Sequence, residues 1–273
     1  MNTHNIAAQS AQLPARMSRP PLVHLVLYIL VVWLALASFQ GAEISFAKFG
    51  EGIPYLWELL TEMFPPDLSR IGPIGAALWQ TFQMAVVGTI LGILVSVPLG
   101  ICASRVHSPH PLVFYCARGL ISFFRTVPDL IWALIFIVSV GLGPFAGTLA
   151  LMIDTMGFAG RFFAEAMEEQ DSGPQEALAA LGAGRLSIIF CAVFPGALPS
   201  MVNSALFCLE KCTRSSVVLG LVGAGGIGIE LKVSMDTFRY DEAATMILLI
   251  FALVVVVEQL SGGIRRRIMS QTA

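Results

Sequence analysis

The stretch from Ile71 to Ser104 contains no Asp, Glu, Lys or Arg, and this feature limits the possible folds of the chain most strongly. A helix that spans a bilayer needs about 20 apolar residues, so this run is long enough to cross one. The whole chain is 56% hydrophobic and 12% charged. Soluble domains average about 25% charged residues, so the composition predicts a protein whose main solvent is lipid.

Hydropathy, with Gly, Pro and charged residues as boundaries, predicts six transmembrane helices and an all-α integral membrane fold. Six crossings place both termini on the same side of the membrane. The predicted spans are Pro21 to Phe39, Ala76 to Ala103, Leu112 to Val140, Phe145 to Ala166, Gly196 to Val222 and Ala243 to Leu260.

Basic residues are distributed unequally between the two predicted faces. The positive-inside rule makes the richer face cytoplasmic, so both termini are expected in the cytoplasm of a multi-pass inner-membrane protein. The richer face carries Arg16, Arg19, Arg105, Arg118, Arg185, Arg265, Arg266 and Arg267, and the other carries Lys48, Arg70, Lys232 and Arg239.

The first span has an alternative interpretation as a cleavable signal peptide. Arg16 and Arg19 precede an apolar run that ends in Ala35-Leu36-Ala37, which is similar to a cleavage site. The uncharged run continues to Ala42, beyond the usual apolar region of about 7–15 residues, which favours a retained helix. Both interpretations leave the orientation of the other five spans unchanged.

Several features exclude or weaken other functions. The formal net charge is −2, and the basic residues are spread between loops, so nucleic acid is not an expected partner. The five cysteines form no CxxC pair and are expected to be buried, inert thiols. His107 and His110 lack a third ligand, so no metal site is expected there.

The run Gly223-Ala224-Gly225-Gly226-Ile227-Gly228 matches a GxGxxG pattern and follows a strand-like run, Ser216 to Leu221. A dinucleotide site would require a surrounding βαβ unit, and too little chain follows to build one. We interpret these glycines as residues that end helices and allow segments to approach closely near a membrane face. No GxxxxGK[ST] phosphate loop occurs in the chain, so any ATP chemistry must reside on another chain.

A short polar insert between Phe162 and Pro199 interrupts the apolar sequence. Ser172 can cap a helix with Pro174 near its first turn, and Gln175 to Leu181 contains strong helix formers. Gly182 and Gly184 allow a left-handed turn, and Pro195 and Pro199 are expected to interrupt the next apolar run. Ala177, Leu178 and Leu181 form an apolar face, so the predicted helix-turn-helix is expected to dock on a cytosolic partner rather than remain a solvated loop.

These residues resemble the signature of the permease subunits of ATP-binding-cassette importers, which is Glu-Ala-Ala, three residues, Gly, nine residues, Ile, one residue and Leu-Pro. The spacing is kept while the third Ala, the Ile and the Leu are replaced. The matching residues are Glu176-Ala177-Leu178, Gly182, Ala192, Phe194 and Pro195. The resemblance implies a type I permease fold, with a five-helix core and an N-terminal helix, in which loop 168–192 holds a cytoplasmic coupling helix.

In that family the coupling helix sits in a cleft of the cytosolic ATPase, where its Glu pairs with a basic residue. The resemblance therefore implies a transport subunit that is not an enzyme and carries no cofactor, with ATP and Mg on a partner ATPase dimer. It assigns the coupling role to Glu176, Ala177 and Gly182, with Leu178, Leu181 and Arg185 as neighbouring contacts.

Three further motifs resemble the permeases of phosphonate importers, a group that includes phosphite systems. They are Phe64 to Ser69, Val140 to Gly147 and Val222 to Gly228. The resemblance implies a homodimer of permeases, a periplasmic phosphonate-type binding protein and a phosphorus oxyanion as substrate. The last motif is shared with methionine importers, so another small solute such as methionine is the alternative.

The expected domain division follows from these assignments. Residues 1–20 form a cytoplasmic tail, and residues 21–75 form the first transmembrane helix and an outer loop. Residues 76–263 form the permease transmembrane domain with its coupling loop, and residues 264–273 form a basic cytoplasmic tail.

Charged residues within the predicted spans require an explanation, because each costs at least about 2.5–3.5 kcal/mol at the bilayer centre. Arg125 and Asp129 are four residues apart, so one helix face could hold both as an ion pair. The same spacing relates Glu210 and Arg214, whereas Lys211, Asp154 and Glu258 have no partner identifiable from sequence. These groups either neutralise each other or line the polar pathway of the dimer, where Arg125, Lys211 and Arg214 would offset an oxyanion and the acids would prevent tight retention.

Two other function classes make different predictions. A secondary transporter predicts internal inverted repeats, and no repeat is visible among the motifs. An integral-membrane enzyme predicts a clustered nucleophile or metal set, which the His and Cys residues do not supply. ATPase activity in proteoliposomes, with and without a nucleotide-binding subunit, separates these classes from an importer subunit.

The predicted orientation can be tested by cysteine labelling in a background without the five native cysteines. A cysteine at Ser187 should react with a membrane-impermeant maleimide only from the cytoplasmic side, and one at Glu58 only from outside. Labelling with the opposite sidedness would contradict both the orientation and the direction of transport.

Overall fold

The structure, a computed structural model, describes residues 22–42 and 45–269, and within these ranges it contains helices and no β-strand. The predicted tail 1–20, with Arg16 and Arg19, lies outside the described residues. A π-helical turn, Ile189–Val193, joins α8 to α9. The helices are α1 (Leu22–Gly41), α2 (Phe46–Glu62), α3 (Ile71–Ala103), α4 (Pro111–Thr126), α5 (Asp129–Val140), α6 (Pro144–Glu168), α7 (Ser172–Ala180), α8 (Arg185–Ile188), α9 (Phe194–Leu221), α10 (Ile227–Asp236) and α11 (Tyr240–Met269).

The chain divides into two compact units, residues 1–58 and 59–273, with the boundary inside α2. The first unit contains α1, an apolar 20-residue helix with no buried residue. The first predicted span is thus helical, and its retention in the mature protein stays a prediction. The predicted outer loop contains an unexpected helix, α2, in which Leu56 and Leu60 repeat at helical spacing.

Four helices of the described chain are long and apolar enough to cross a membrane, namely α1, α3, α11 and the continuous segment Arg185–Leu221. The predicted span Leu112 to Val140 is not one straight helix. It consists of α4 and α5, which are bent by 90° and together make one broken span or a re-entrant loop. Pro128 explains the break, because proline forces the preceding Val127 into an extended conformation, with φ −84° and ψ 119°.

Helix α6 is the centre of the second unit and contacts α3, α4, α5 and α9. Thirteen of its 25 residues are buried, including Leu151, Thr155 and Phe163. It carries Asp154 and Arg161 and is not among the four apolar spans. Helix α6 is therefore held in the bundle by packing against four other helices rather than by a high hydropathy of its own.

Glycines on one face of α3 allow it to lie directly against α6. A Cβ atom at Gly88 would lie 2.7 Å from Leu151 Cβ, and one at Gly92 would overlap Thr155 Cβ. These two glycines are four residues apart, so they lie on the same helix face. Small residues at this spacing let the helix backbones approach closely, as is common for helix pairs in membranes.

The segment before α9 contains a π-helical turn in place of the predicted interruption by proline. The N–H of Phe194 donates to the carbonyl of Ile189, five residues earlier. Pro195 follows this turn and Pro199 lies inside α9, yet the helical segment continues from Arg185 to Leu221. The prediction that the prolines break this run was wrong, because proline is tolerated in the first turn of a helix and nearby groups can satisfy the backbone acceptors that it leaves free.

The glycine contact predicts a large difference between two matched substitutions. Gly92→Ala should lower the free energy of unfolding by about 1–3 kcal/mol, because the added methyl group overlaps Thr155. Gly119→Ala, at a helical glycine with no atom within 4 Å of the new Cβ, should be neutral or slightly stabilising. Thermal unfolding of the purified protein in detergent measures both, and equal stability of the two variants would contradict the tight α3–α6 contact.

Candidate functional site

The predicted coupling loop, residues 168–192, contains the short helix α7 followed by a tight turn and α8. The Asp171 carboxylate caps α7 by accepting the N–H of Gly173 at 3.2 Å. The expected capping residue, Ser172, lies inside the helix instead. The prediction of the helix is confirmed, but the cap lies one residue earlier because Asp171 supplies the acceptor.

Gly182 ends the helix in the left-handed conformation that the sequence predicted, with φ +81°. The N–H of Gly182 donates to the Ala179 carbonyl, and the N–H of Ala183 donates to the Leu178 carbonyl, both at 3.0 Å. This pair of bonds is a Schellman motif. The expectation of a left-handed turn at Gly184 was wrong, since that residue is extended and precedes α8.

The predicted coupling loop, which we also call the coupling segment, exposes apolar and charged side chains together. Leu181 is 84% exposed, Leu186 70% and Phe190 57%. Glu176, Ala177, Gly182 and Arg185 are also exposed, whereas Leu178 is half-buried. We call the exposed set Glu176, Ala177, Leu181, Arg185, Leu186 and Phe190 the coupling surface. Leu186 and Phe190 were not predicted as part of this surface, although their four-residue spacing after Gly184 was a visible signal.

Loop 104–110 follows the end of α3 and is hydrogen-bonded to α7 in the predicted coupling loop. The His107 ring bonds Ser104 Oγ through Nδ1 at 2.9 Å and Gln175 Oε1, on α7, through Nε2 at 3.4 Å. Arg118 on α4 donates to both carboxylate oxygens of Glu168 at 3.0 and 3.1 Å. From the sequence His107 was considered only as a metal ligand, and its bond to Gln175 was not predicted because no local pattern pairs the two residues.

Lys211 on α9 has a partner that the sequence did not identify. Its Nζ donates to Asp154 Oδ1 on α6 at 2.7 Å and lies 4.5 Å from the centroid of the Phe158 ring. Neither Lys211 nor Asp154 had a partner that could be identified from the sequence, and the structure pairs the two. The two charges are 57 residues apart in sequence, so only the packing of α6 against α9 brings them together.

Glu210 pairs with a different cation from the one predicted. Its Oε1 lies 3.3 Å from Arg265 Nη2 on α11. Arg214, the predicted partner, is exposed and makes no ion pair with any residue in the described ranges. The four-residue spacing allowed the predicted pair, but the tertiary contact between α9 and α11 placed Arg265 closer.

Arg125 and Asp129 do not share a helix face, because the chain breaks between α4 and α5. The Arg125 guanidinium lies 5.4 Å from the centroid of the Phe158 ring. Asp129 Oδ1 accepts the N–H of Leu130 at the start of α5. The predicted pair is not formed, and Pro128 is the physical reason.

The start of α3 is held by a buried carboxylate. Glu242 on α11 is 1% exposed and pairs with Arg70 at 3.2 Å and with Arg239. Nearby, the Ser69 hydroxyl and N–H donate to Asp67 and hold the pKa of that carboxyl below its usual value. These contacts join the chain before α3 to α11 at the end of α3 opposite the coupling segment.

Two of the sequence motifs contact each other. The N–H of Gly143 donates to the carbonyl of Gly223 at 3.1 Å, and a Cβ at Gly225 would lie 2.8 Å from the Pro144 nitrogen. Gly225 has φ +93°, so glycine is required there by both conformation and space. The prediction of close approach is confirmed, whereas the strand-like run Ser216 to Leu221 is the end of α9.

Comparison with solved structures identifies the class of fold. An inward-facing structure of the MetNI methionine ABC transporter matches 74% of this chain and 99% of its own chain, with a TM-score of 0.66 and 24% sequence identity. An amino acid ABC transporter matches 74% of this chain and 98% of its own, with a TM-score of 0.61 and 16% identity. The fold is thus the all-helical fold of an ABC transporter permease.

Residues 96–269 match the family described as "Binding-protein-dependent transport system inner membrane component", and the chain belongs to that family. It is therefore a multi-pass inner-membrane transport component, as the sequence predicted. Membership implies a substrate-binding protein and, for an ABC importer, an ATPase as partners.

Similar proteins have names that refer to phosphorus oxyanions. A phosphate-import permease of Mycolicibacterium smegmatis is 42% identical over 77% of this chain, and the matched region covers only 40% of that relative. A putative phosphite transport permease of Stutzerimonas stutzeri is 35% identical over 90% of this chain and 87% of its own. A second phosphite transport permease from that organism is 40% identical over 79% of this chain and 78% of its own.

The observed pairing predicts which charge exchange the protein tolerates. Glu210→Arg combined with Arg265→Glu should restore assembly, because the exchange preserves the pair between α9 and α11. Glu210→Arg combined with Arg214→Glu should not, because two cations would then face each other across that contact. Size-exclusion chromatography of fluorescently tagged protein measures the assembled yield, and a better yield from the Arg214 combination would contradict the structure.

Proposed function

We propose that this chain is the permease subunit of an ATP-driven importer of phosphonate, phosphite or a related phosphorus oxyanion. The observation that carries the proposal is the set of relatives named for phosphate and phosphite transport, which are 35–42% identical over 77–90% of the chain. The motif Phe64 to Ser69 supports the same assignment.

Methionine import is less well supported as the function. A probable D-methionine permease of Vibrio cholerae is 30% identical over 70% of the chain, less than the phosphite relatives. The methionine transporter structures share the fold at 23–24% identity, which does not bear on substrate.

We also propose the assembly and orientation that the sequence indicated. Two copies of the chain pair with a cytosolic ATPase dimer, which binds ATP and Mg, and receive substrate from a periplasmic binding protein. The basic residues that were assigned to the two membrane faces lie at opposite ends of α3, and this arrangement supports cytoplasmic termini. Arg105 and Arg118 contact Glu168 beside the coupling segment, whereas Arg70 and Arg239 contact Glu242 at the other end.

In this assembly α6 is the crossing that completes six spans, with α4 and α5 together as the broken third. A helix of 25 residues is about 37 Å long, which exceeds the hydrocarbon core of about 30 Å. Its charged Asp154 pairs with Lys211, which lowers the cost of placing both groups in lipid.

The coupling surface is the proposed docking site for the ATPase. Glu176 and Arg185 supply charges for pairing, and Leu181, Leu186 and Phe190 supply apolar area that is exposed in the single chain. Gly182 fixes the turn that presents these side chains, and half-buried Leu178 anchors the helix. Because His107 is hydrogen-bonded to Gln175, a movement of α7 is transmitted directly to loop 104–110.

Polar residues on α4, α5 and α9 form the proposed translocation pathway. Arg125, Lys211 and Arg214 provide positive charge, and Asp129 and Glu210 provide negative charge that limits retention of an anion. The exposed positions of Arg125 and Arg214 support this role, since both side chains are uncovered in the single chain.

Reconstitution with the cognate ATPase and binding protein tests the proposed function. We expect ATP-dependent uptake of phosphite, methylphosphonate or phosphate into proteoliposomes, and no uptake of methionine. Glu176→Lys should reduce uptake by about tenfold or more, because charge reversal at an interface leaves a buried charge without its partner.

Glu169→Lys is the matched control, since it reverses an acidic side chain just before α7 and outside the coupling surface. Both variants should reach the membrane in wild-type amounts. Methionine uptake by the wild-type complex would contradict the proposed substrate, and normal uptake by Glu176→Lys would contradict the coupling role.

A further inference from the structure

The ring of Phe158 on α6 is the meeting point of two cations from different helices. Lys211 Nζ lies 4.5 Å from the ring centroid, and the Arg125 guanidinium carbon lies 5.4 Å from it. The two cationic centres are therefore at most about 10 Å apart, whichever faces of the ring they occupy. Phe162 and Phe207 pack beside the same ring, with centroids 5.2 and 5.7 Å away, and provide an apolar wall.

Most of the hydrogen-bonding capacity of these two cations is unused. An ammonium group has three N–H donors and a guanidinium has five. Within the described residues, Lys211 donates only to Asp154 Oδ1, and Arg125 makes no hydrogen bond. The remaining charged donors of Lys211 and Arg125 converge on one region and have no hydrogen-bond acceptor among residues 22–42 and 45–269.

The acidic residues nearby neutralise the cations without saturating them. Asp154 uses one oxygen for Lys211, and its buried Oδ2 has no hydrogen-bond partner among the described residues. Asp129 lies close enough to interact electrostatically with Asp154, and its own Oδ1 accepts the N–H of Leu130. Two positive and two negative charges give a cluster that is neutral overall, and neutrality lowers the cost of keeping these groups in a membrane.

The position of the cluster suits a step in transport. Asp154 lies ten residues after Pro144, about 15 Å along α6 and near the middle of the helix. Arg125 lies next to the 90° break between α4 and α5. Backbone that departs from a helix at membrane depth is tolerated where it is buried in protein or lines a cavity. The Lys211 side chain keeps 30% of its surface exposed and Arg125 is exposed, so both remain accessible in the single chain.

We infer that Arg125 and Lys211 form a transient binding site for a small oxyanion, in which Asp154 competes with the substrate for Lys211. This inference rests on the proposed function, because it requires an anionic substrate. An oxyanion accepts the unused donors of both cations, and the carboxylate of Asp154 returns to Lys211 when the anion leaves. A competing carboxylate keeps binding weak, which a conducting site requires.

The central test replaces charges without leaving an unpaired partner. Lys211→Gln combined with Asp154→Asn keeps an amide pair at the same contact and removes both charges. Arg125→Gln removes a cation that has no ion pair to any residue in the described ranges, and Arg125→Lys retains the charge. Arg161→Gln combined with Glu165→Gln is the matched control, since it neutralises the exposed pair on α6, whose atoms lie 2.7 Å apart.

The measurements are ATP-dependent uptake of phosphite or phosphate at saturating loaded binding protein, basal ATPase activity and assembled yield. We expect Arg125→Gln and the Lys211/Asp154 double variant each to lose about tenfold or more in maximal uptake rate, as charge-assisted hydrogen bonds are lost. Assembled yield should stay at wild-type level, and basal ATPase activity should be unchanged in the Arg161/Glu165 control. Arg125→Lys should recover part of the rate, and the Arg161/Glu165 control should transport normally.

Each outcome is decisive for one claim. Wild-type uptake in Arg125→Gln overturns the site even if the double variant fails to assemble. Wild-type uptake in the double variant shows that Lys211 and Asp154 are only a structural pair and also overturns it. If the unmodified complex imports none of the tested oxyanions, the proposed function fails, and that result is visible before any variant is compared.

Discussion

The close approach of α3 to α6 is the contact on which the rest of the second unit depends. Gly88 and Gly92 present no side chain to α6, so Leu151 and Thr155 lie directly against the α3 backbone. With α6 fixed in this way, its other faces contact α4, α5 and α9. In lipid there is little hydrophobic force to bring helices together, so close van der Waals contact between small residues is the stabilising interaction available.

The central position of α6 also explains how charges are distributed. Asp154 reaches Lys211 on α9, and Phe158 contacts both Lys211 and Arg125. A helix with these residues would be a poor membrane span alone, but its neighbours cover it. Burial against other helices thus permits polar chemistry at the bundle interior, where a transport subunit for an anion would need it.

The two ends of α3 are built differently. At one end Glu242 is buried between Arg70 and Arg239, which joins α3 to α11. At the other end loop 104–110 contacts Glu168 and Gln175, so the chain beside α3 is linked to the coupling segment through hydrogen bonds. Leu181, Leu186 and Phe190 remain exposed there, and an exposed apolar set of this kind is typical of a surface that a partner covers.

The sequence by itself determined the membrane class, the positions of most helices, the short helix α7 and the left-handed turn at Gly182, because these depend on local hydropathy, capping and glycine geometry. It did not determine the break between α4 and α5, the partner of Lys211 or the partner of Glu210. Residues four apart, such as Glu210 and Arg214, can always be proposed as a pair from spacing. The actual partners, Asp154 and Arg265, are 57 and 55 residues away, so only the packing of α9 against α6 and α11 decided them.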